Sequence, residues 1–312
     1  MLKIKINSHS IEVGELSVSF ERTLRIPDDD HVYPLPPSLG SFPICRVEDY
    51  KESVPPDWLE KGGVFIPMYQ REAMWLSFNG SPHAVMIDAG KINAVSGKKQ
   101  SDTLEEKDQN YLVSPDQPWL DGFNAGEGFI RQFVAMPLGQ GYTVEEQLSP
   151  EDVKGGMRLV VFAPKPGAIP EDAGGIYGTN MIIQECCESK EMGLAAGGKM
   201  EQEIYEDDYG IDTWDTETRT EVPIHVVNSE QYEVITGKAP PETLVTAETY
   251  TDYGYPWYRL YNEEKKDITA SKQLAAIKSM KQLDKEKEIS SNDPAFQVSG
   301  NQIISLTQKK QD

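Results

Sequence analysis

Residues 2–20, LKIKINSHSIEVGELSVSF, decide the class of fold that this chain adopts. Apolar side chains occupy every second position from Leu2 to Ile6, at Ile11 and Val13, and again from Leu16 to Phe20. Successive side chains of a β-strand point to opposite faces, so this alternation gives each segment one apolar face. The turn-like residues 7–10 separate two of the segments. The stretch therefore predicts a small antiparallel meander.

Short apolar runs continue through the rest of the chain. The 25 glycines and 21 prolines are spread between these runs, a distribution typical of many strands and turns. Further strands are predicted at 110–113, 129–136, 157–163, 180–185 and 222–227, and a strand-turn-strand unit around Asp88-Ala89-Gly90. Residues 64–78 predict a strand that continues as a short helix after Pro67. We expect an α+β, β-rich fold of antiparallel strands with few helices.

The pattern changes near the C-terminus. Residues 268–288 contain neither glycine nor proline, and apolar residues recur at helical spacing. These residues are Ala270, Leu274, Ile277, Met280 and Leu283. The segment predicts one C-terminal amphipathic helix. We divide the chain into an N-terminal β-rich part (1–155), a C-terminal β-rich part with an acidic loop (156–262), and the helix with a flexible tail (263–312).

The charge of the chain limits its partners. It has 30 basic and 51 acidic side chains among 312 residues, a net charge of −21. Such a field repels phosphate and attracts basic partners, so we expect no nucleic-acid binding. Residues 185–221 alone hold 12 acidic and 3 basic side chains. No apolar run approaches the roughly 18 residues of a membrane span, and three cysteines favour a reducing compartment, so we expect a cytoplasmic protein.

The acidic loop 206–215, EDDYGIDTWD, is the candidate metal site. Hard cations such as calcium bind several carboxylate and carbonyl oxygens on a sharply turning backbone. The candidate ligands are Asp207, Asp208, Asp212 and Asp215. Their spacing does not match the twelve-residue calcium loop that ends in glutamate. A solvated acidic turn, or one that docks a basic partner, is the alternative.

Aromatic residues next to polar ones give the candidate binding residues. Gln70, Arg71 and Glu72 precede Trp75, a mixture found in binding clefts. Arg71 and Glu72 paired with each other at the edge of a core would give the same sequence. The other aromatic candidates are Trp119, Tyr209 and Trp214. Packing in the core is the commoner use of such side chains.

Familiar catalytic motifs are missing from the sequence. There is no nucleophile elbow, no paired-cysteine metal motif and no phosphate-binding loop. Cys186-Cys187 could supply a thiolate with His225 as base, but Glu185 and Glu188 disfavour a thiolate. A structural cysteine at the end of a strand is the better interpretation.

Several segments resemble an uncharacterised family of bacterial proteins. They are MYQREAMWLSF at 68–78, QPWLDG at 117–122, RQFVAMPLG at 131–139, MGLAAGGKM at 192–200 and QEIYEDDYG at 202–210. The resemblance covers residues 1 to about 261. It implies a bacterial-type globular body and assigns no activity, cofactor or catalytic residue.

Three functions remain open from the sequence. The first is a noncatalytic binding or scaffold protein that engages a basic protein or peptide partner through an acidic, aromatic surface. The second is a metal-dependent hydrolase that uses carboxylates of the loop 206–215 with a divalent cation such as calcium. The third is a structural subunit of an assembly, docked through the stripe from Ala270 to Leu283.

Overall fold

The computed structural model describes residues 1–29, 31–169, 191–242, 246–261, 265–290 and 296–307. Its strands are β1 (Ile4–Ile6), β2 (Ile11–Val13), β3 (Leu16–Thr23), β4 (Val32–Tyr33), β5 (Ser38–Ser41), β6 (Cys45–Arg46), β7 (Val64–Met68), β8 (Ala73–Gly80), β9 (His83–Ala89), β10 (Ile92–Asn93), β11 (Leu112–Ser114), β12 (Trp119–Leu120), β13 (Gly122–Gly126), β14 (Phe129–Pro137), β15 (Met157–Phe162), β16 (Glu191–Glu201), β17 (Thr220–Asn228), β18 (Trp257–Tyr261) and β19 (Ile303–Thr307). Its helices are α1 (Pro56–Lys61), α2 (Val144–Leu148), α3 (Ser229–Thr236), α4 (Ala247–Asp252), α5 (Lys272–Ala275) and α6 (Met280–Glu286). The strand predicted at 180–185 and the pair Cys186-Cys187 lie outside the described residues.

The N-terminal meander predicted from residues 2–20 is confirmed. β1 pairs antiparallel with β2, and β2 with β3. A two-residue turn at Gly14 and Glu15 joins β2 to β3, because Val13 and Leu16 are directly opposed. Gly14 has a φ of +62°, a conformation that glycine adopts with little strain and that tight hairpins require.

Strands β1 to β17 form one large sheet, and β18 and β19 form a small parallel one. Through hydrogen-bonded neighbours, the large sheet runs β2, β3, β8, β14, β16, β17, β15 and β9, with every pair antiparallel. β7 joins β17, and β4 joins β16, in parallel. The α+β, β-rich fold with mainly antiparallel strands is therefore confirmed. Strands from both sides of residue 155 are neighbours, as β9 and β15 are.

The sheet contributes residues to one main hydrophobic core and is also covered on parts of its other face. On β15, Leu159 and Val161 belong to the main core. The intervening Val160 and Phe162 pack into a separate cluster with Trp214. Because both faces of this strand are buried, its sequence is continuously apolar instead of alternating.

Helices α1 and α3 cover the outer side of β7 and β17. Trp58 of α1 and Tyr232 of α3 share a cluster with Phe65 of β7. α1 begins with proline at its first position, where the missing amide donor costs nothing. The side chain of Asn228 caps α3 by accepting a hydrogen bond from the amide of Glu230. These local signals start each helix directly beside the sheet.

The short helix predicted after Pro67 is wrong. Residues 73–80 form the strand β8, which pairs along its length with β3. Met74, Leu76 and Phe78 alternate into the main core with exposures of 0–2%. Burial of this period-two pattern outweighs the helix propensity of the intervening residues.

The single C-terminal amphipathic helix is replaced by two short helices, α5 and α6. Ser271 and Ser279 cap them, so a new helix starts at 280 instead of one continuing from 272. Leu274 packs into the main core, whereas Met280 and Leu283 pack on an outer cluster over β14 and β16. The break lets one apolar stripe reach both clusters, and the stripe is buried against the chain's own body.

Within the described ranges, no helix combines the length and apolar character needed to span a membrane.

Candidate functional site

The candidate residues Gln70 and Arg71 lie in the turn between β7 and β8. Arg71 has a φ of +69°, a left-handed conformation that is strained for a residue other than glycine. Its guanidinium donates two hydrogen bonds, of 2.8 and 2.6 Å, to the carboxylate of Asp284 on α6. The hydroxyl of Tyr142 donates to the same carboxylate at 2.6 Å. Arg71 therefore anchors the C-terminal segment to the body.

Glu72 has a similar role with a different partner. It is 8% exposed and accepts two hydrogen bonds from the guanidinium of Arg22, at 3.1 and 3.0 Å. It also accepts one from the backbone amide of Tyr69, at 2.9 Å. The Arg22 side chain is 2% exposed, so this is a buried, hydrogen-bonded ion pair. It links β3 to the start of β8.

Trp75 and Trp119 are brought together by the pairing of β8 with β12. Their ring centroids are 6.1 Å apart in an edge-to-face arrangement. Trp75 lies between Met74 and Leu76, which point into the main core, so its ring is on the opposite face of the strand. Both indoles are half-buried and form one aromatic pair.

Asp207 organises the acidic loop from within. Its carboxylate accepts hydrogen bonds from the Tyr111 hydroxyl at 2.7 Å and from the Trp214 indole nitrogen at 2.8 Å. It also accepts the backbone amides of Tyr209 at 2.9 Å and Gly210 at 3.2 Å. Trp214 is 1% exposed and packs edge-to-face on Tyr209. These two candidate aromatics are part of the loop's internal packing.

The other three aspartates of the loop point to different partners. Asp208 forms an ion pair of 2.7 Å with Lys265, which also contacts Asp116. Asp215 caps a short 3₁₀ turn by accepting the amide of Glu217, and Asp212 is exposed. Among the described residues, no group of three or more His, Cys, Asp or Glu side chains is placed to hold a metal ion.

A pocket of about 570 Å³ opens beside α1 and α3. Its size is within the range of ligand-binding pockets in proteins. The lining residues come from the loop before α1, from α1 and α3, and from three strands or strand ends; they are Ser53, Val54, Pro55, Trp58, Leu138, Glu191, Val227, Gln231 and Ile235. Only one of them is ionisable, Glu191. The pocket therefore combines six apolar residues with the polar Ser53 and Gln231 and a single carboxylate.

Trp58 is held in the pocket wall by His225. The two rings are stacked, with centroids 4.3 Å apart and an interplanar angle of 18°. His225 is 8% exposed, and burial lowers its pKa to about 4. The neutral ring can donate a hydrogen bond from Nε2 to the carbonyl of Gly62, 3.0 Å away. The wall behind Trp58 is thus uncharged at neutral pH.

Glu191 is the first residue of β16, directly opposite Val227 of β17. Burial raises the pKa of its carboxyl group, as does the negative charge of Asp57, while Lys61 opposes the shift. Lys61 forms its ion pair with Asp57, at 3.4 Å. Within the described part of the chain, the Glu191 carboxylate has neither a hydrogen bond nor an ion pair. Glu191 is one of the residues that line the pocket.

Sequence reasoning did not identify this pocket. Its residues come from four separate segments between 53 and 235, and none of the segments matches a functional motif. Glu191 looked like one of many surface glutamates, and Trp58 was an isolated aromatic residue. The available signal was Trp58 near a Pro-Pro helix start, which marks an ordered segment but no ligand.

The chain matches no protein-family model, no curated protein and no solved structure.

Proposed function

We propose that this chain is a noncatalytic binding protein that engages a basic peptide segment of a protein partner. The observation that carries the proposal is the Glu191 carboxylate, which pairs with no other described residue, in a pocket whose lining has no second ionisable side chain. A lysine or arginine side chain fits this chemistry, because its aliphatic stem can pack on apolar walls while its charged end meets the carboxylate.

The electrostatics of the surroundings support a cationic ligand. Asp57 and Glu60 are exposed on α1, and Glu233 is exposed on α3. The net charge of −21 adds a long-range field that draws basic segments towards the chain. A charge-assisted hydrogen bond to Glu191 would contribute about 1.5–3 kcal/mol.

The same charge argues against nucleic acid as the partner. We also place the protein in the cytoplasm. The small number of cysteines supports this location, and Cys45 is a buried free thiol.

Affinity retention on a peptide column tests the proposal. The immobilised probe is an acetylated, amidated heptapeptide with lysine at the centre of six alanines. We expect the column to retain the wild-type protein at low ionic strength and to release it as salt increases. Glu191→Gln should abolish retention. Glu248→Gln, which removes an exposed carboxylate of α4 outside the pocket lining, should leave it unchanged.

Retention of Glu191→Gln equal to that of the wild type would contradict the proposal. Retention of wild type and both variants on a column with norleucine in place of lysine would also contradict it, since binding would then be apolar only.

A further inference from the structure

Two exposed aliphatic side chains lie about one helical turn from lining residues of the pocket, one on each helix. Leu59 of α1 is 43% exposed and lies one turn after the pocket-lining Pro55. Val234 of α3 is 74% exposed and lies one turn after the pocket-lining Gln231. A ligand that fills only the pocket would leave both side chains in water. A ligand that covers them must extend beyond the pocket over both helices.

The charges around this rim favour a basic segment over a second copy of this acidic chain. Asp57 and Glu60 on α1, and Glu233 on α3, are exposed near the two aliphatic residues. The nearby cation Lys61 pairs with Asp57. A second copy with a net charge of −21 would bring like charges together, whereas a basic segment would neutralise them.

We infer that the partner segment is amphipathic: one basic residue enters the pocket, and aliphatic residues two positions before and after it rest on Leu59 and Val234. The inference rests on the proposed function, because the basic residue positions the segment. In an extended peptide, residues at alternate positions point to the same side, so all three side chains face the protein together.

Two synthetic peptides test this inference in solution. Both are acetylated, amidated heptapeptides with a central lysine; one has leucine at the second and sixth positions, the other has serine there, and alanine fills the remaining positions. The wild-type protein should bind the leucine peptide about tenfold more tightly than the serine peptide, because two aliphatic contacts are gained. Isothermal titration calorimetry gives both dissociation constants.

Variants test whether Leu59 and Val234 cause the difference in affinity between the two peptides. The double variant Leu59→Ser, Val234→Ser should bind both peptides with the affinity that the wild type has for the serine peptide. Val32→Ser removes another exposed valine, 49% exposed on β4, and should preserve the tenfold preference. All three substitutions are at exposed positions, and thermal melts confirm that each variant is folded.

The outcomes separate this inference from the proposed function. Equal affinity of wild type for the two peptides would overturn the amphipathic segment, as would a preference that survives the double variant. If Glu191→Gln weakens the binding of both peptides equally, Glu191 recognises lysine independently of the leucine contacts. If Glu191→Gln changes neither affinity, the proposed function fails whatever the leucine preference is.

Discussion

The guanidinium of Arg71 and the carboxylate of Asp284 form a two-hydrogen-bond ion pair between residues 213 positions apart in the sequence. The Asp284 side chain is 1% exposed, and that of Arg71 is 25% exposed. The pair joins the strained turn before β8 to α6, whose residues Met280 and Leu283 pack over β14 and β16. The helix α6 is therefore part of the folded body.

Removal of this anchor should destabilise the fold. We expect Asp284→Asn to lower the free energy of unfolding by about 2–3 kcal/mol, below the value for fully buried pairs because Arg71 is partly solvated. Urea denaturation measures the change. Glu286→Gln breaks the exposed pair between α6 and Lys278, which precedes this helix, and should cost less than about 0.5 kcal/mol. Equal effects of the two substitutions would contradict this role for Asp284.

Asp121 should make stability depend on pH near neutrality. It is 2% exposed, its carboxylate accepts a hydrogen bond from the amide of Gln202, and burial raises its pKa to about 7. An unfolded aspartate has a pKa of about 3.9, so the folded protein holds this proton more tightly than the unfolded chain does. Protonation of Asp121 therefore stabilises the fold, and this stabilisation is lost as pH rises through the folded pKa.

The matched variant is Asp121→Asn, which cannot ionise. The unfolding free energy of the wild type, relative to that of this variant, should fall by about 1.4 kcal/mol per pH unit between pH 5 and 7 and then level off. Urea denaturation from pH 5 to 9 measures the difference. A difference that stays constant over this range would show that Asp121 does not titrate there.

The sequence predicts individual strands better than their arrangement. The alternation in 2–20 and the apolar run at 157–163 correspond to β1–β3 and β15. No helix forms after Pro67, because residues 73–80 pair with β3, which is distant in the sequence. The C-terminal stripe has the spacing of one helix, but its residues pack on two separate clusters.

The candidate site shows the same limit. The sequence makes Trp214 and Asp207 candidate site residues, but in the structure they form a hydrogen bond with each other inside the acidic loop. Glu191 and Trp58 are 133 positions apart, and no local pattern relates them. Only the pairing of β16 with β17 and the placement of α1 bring them to one pocket.

The stability of the protein should depend more on the hydrogen bonds within the acidic loop than on calcium. Asp207→Asn should lower the unfolding free energy by about 2–3 kcal/mol, because buried donors of Tyr111 and Trp214 lose a charged acceptor. The exposed Asp212→Asn should change it by less than about 0.5 kcal/mol. Thermal melts with and without millimolar calcium measure both effects.

Ligand binding to the folded state raises the melting temperature. A calcium-induced rise in the wild type that is lost in both Asp207→Asn and Asp212→Asn would instead support the metal site predicted from the sequence. If calcium raises the melting temperature of none of the three proteins, the result favours the peptide-binding proposal over the metal site.

The most direct test of the central claim is the coupling energy between Glu191 and the basic residue of the ligand. Isothermal titration of wild type and Glu191→Gln, each with the lysine heptapeptide and its norleucine counterpart, gives the four affinities of a double-mutant cycle. We predict a favourable coupling energy of about 1–2 kcal/mol, because Glu191→Gln should lose the preference of the wild type for the lysine peptide over the norleucine peptide. A coupling near zero would contradict the assignment of Glu191 as the residue that recognises the partner's cation.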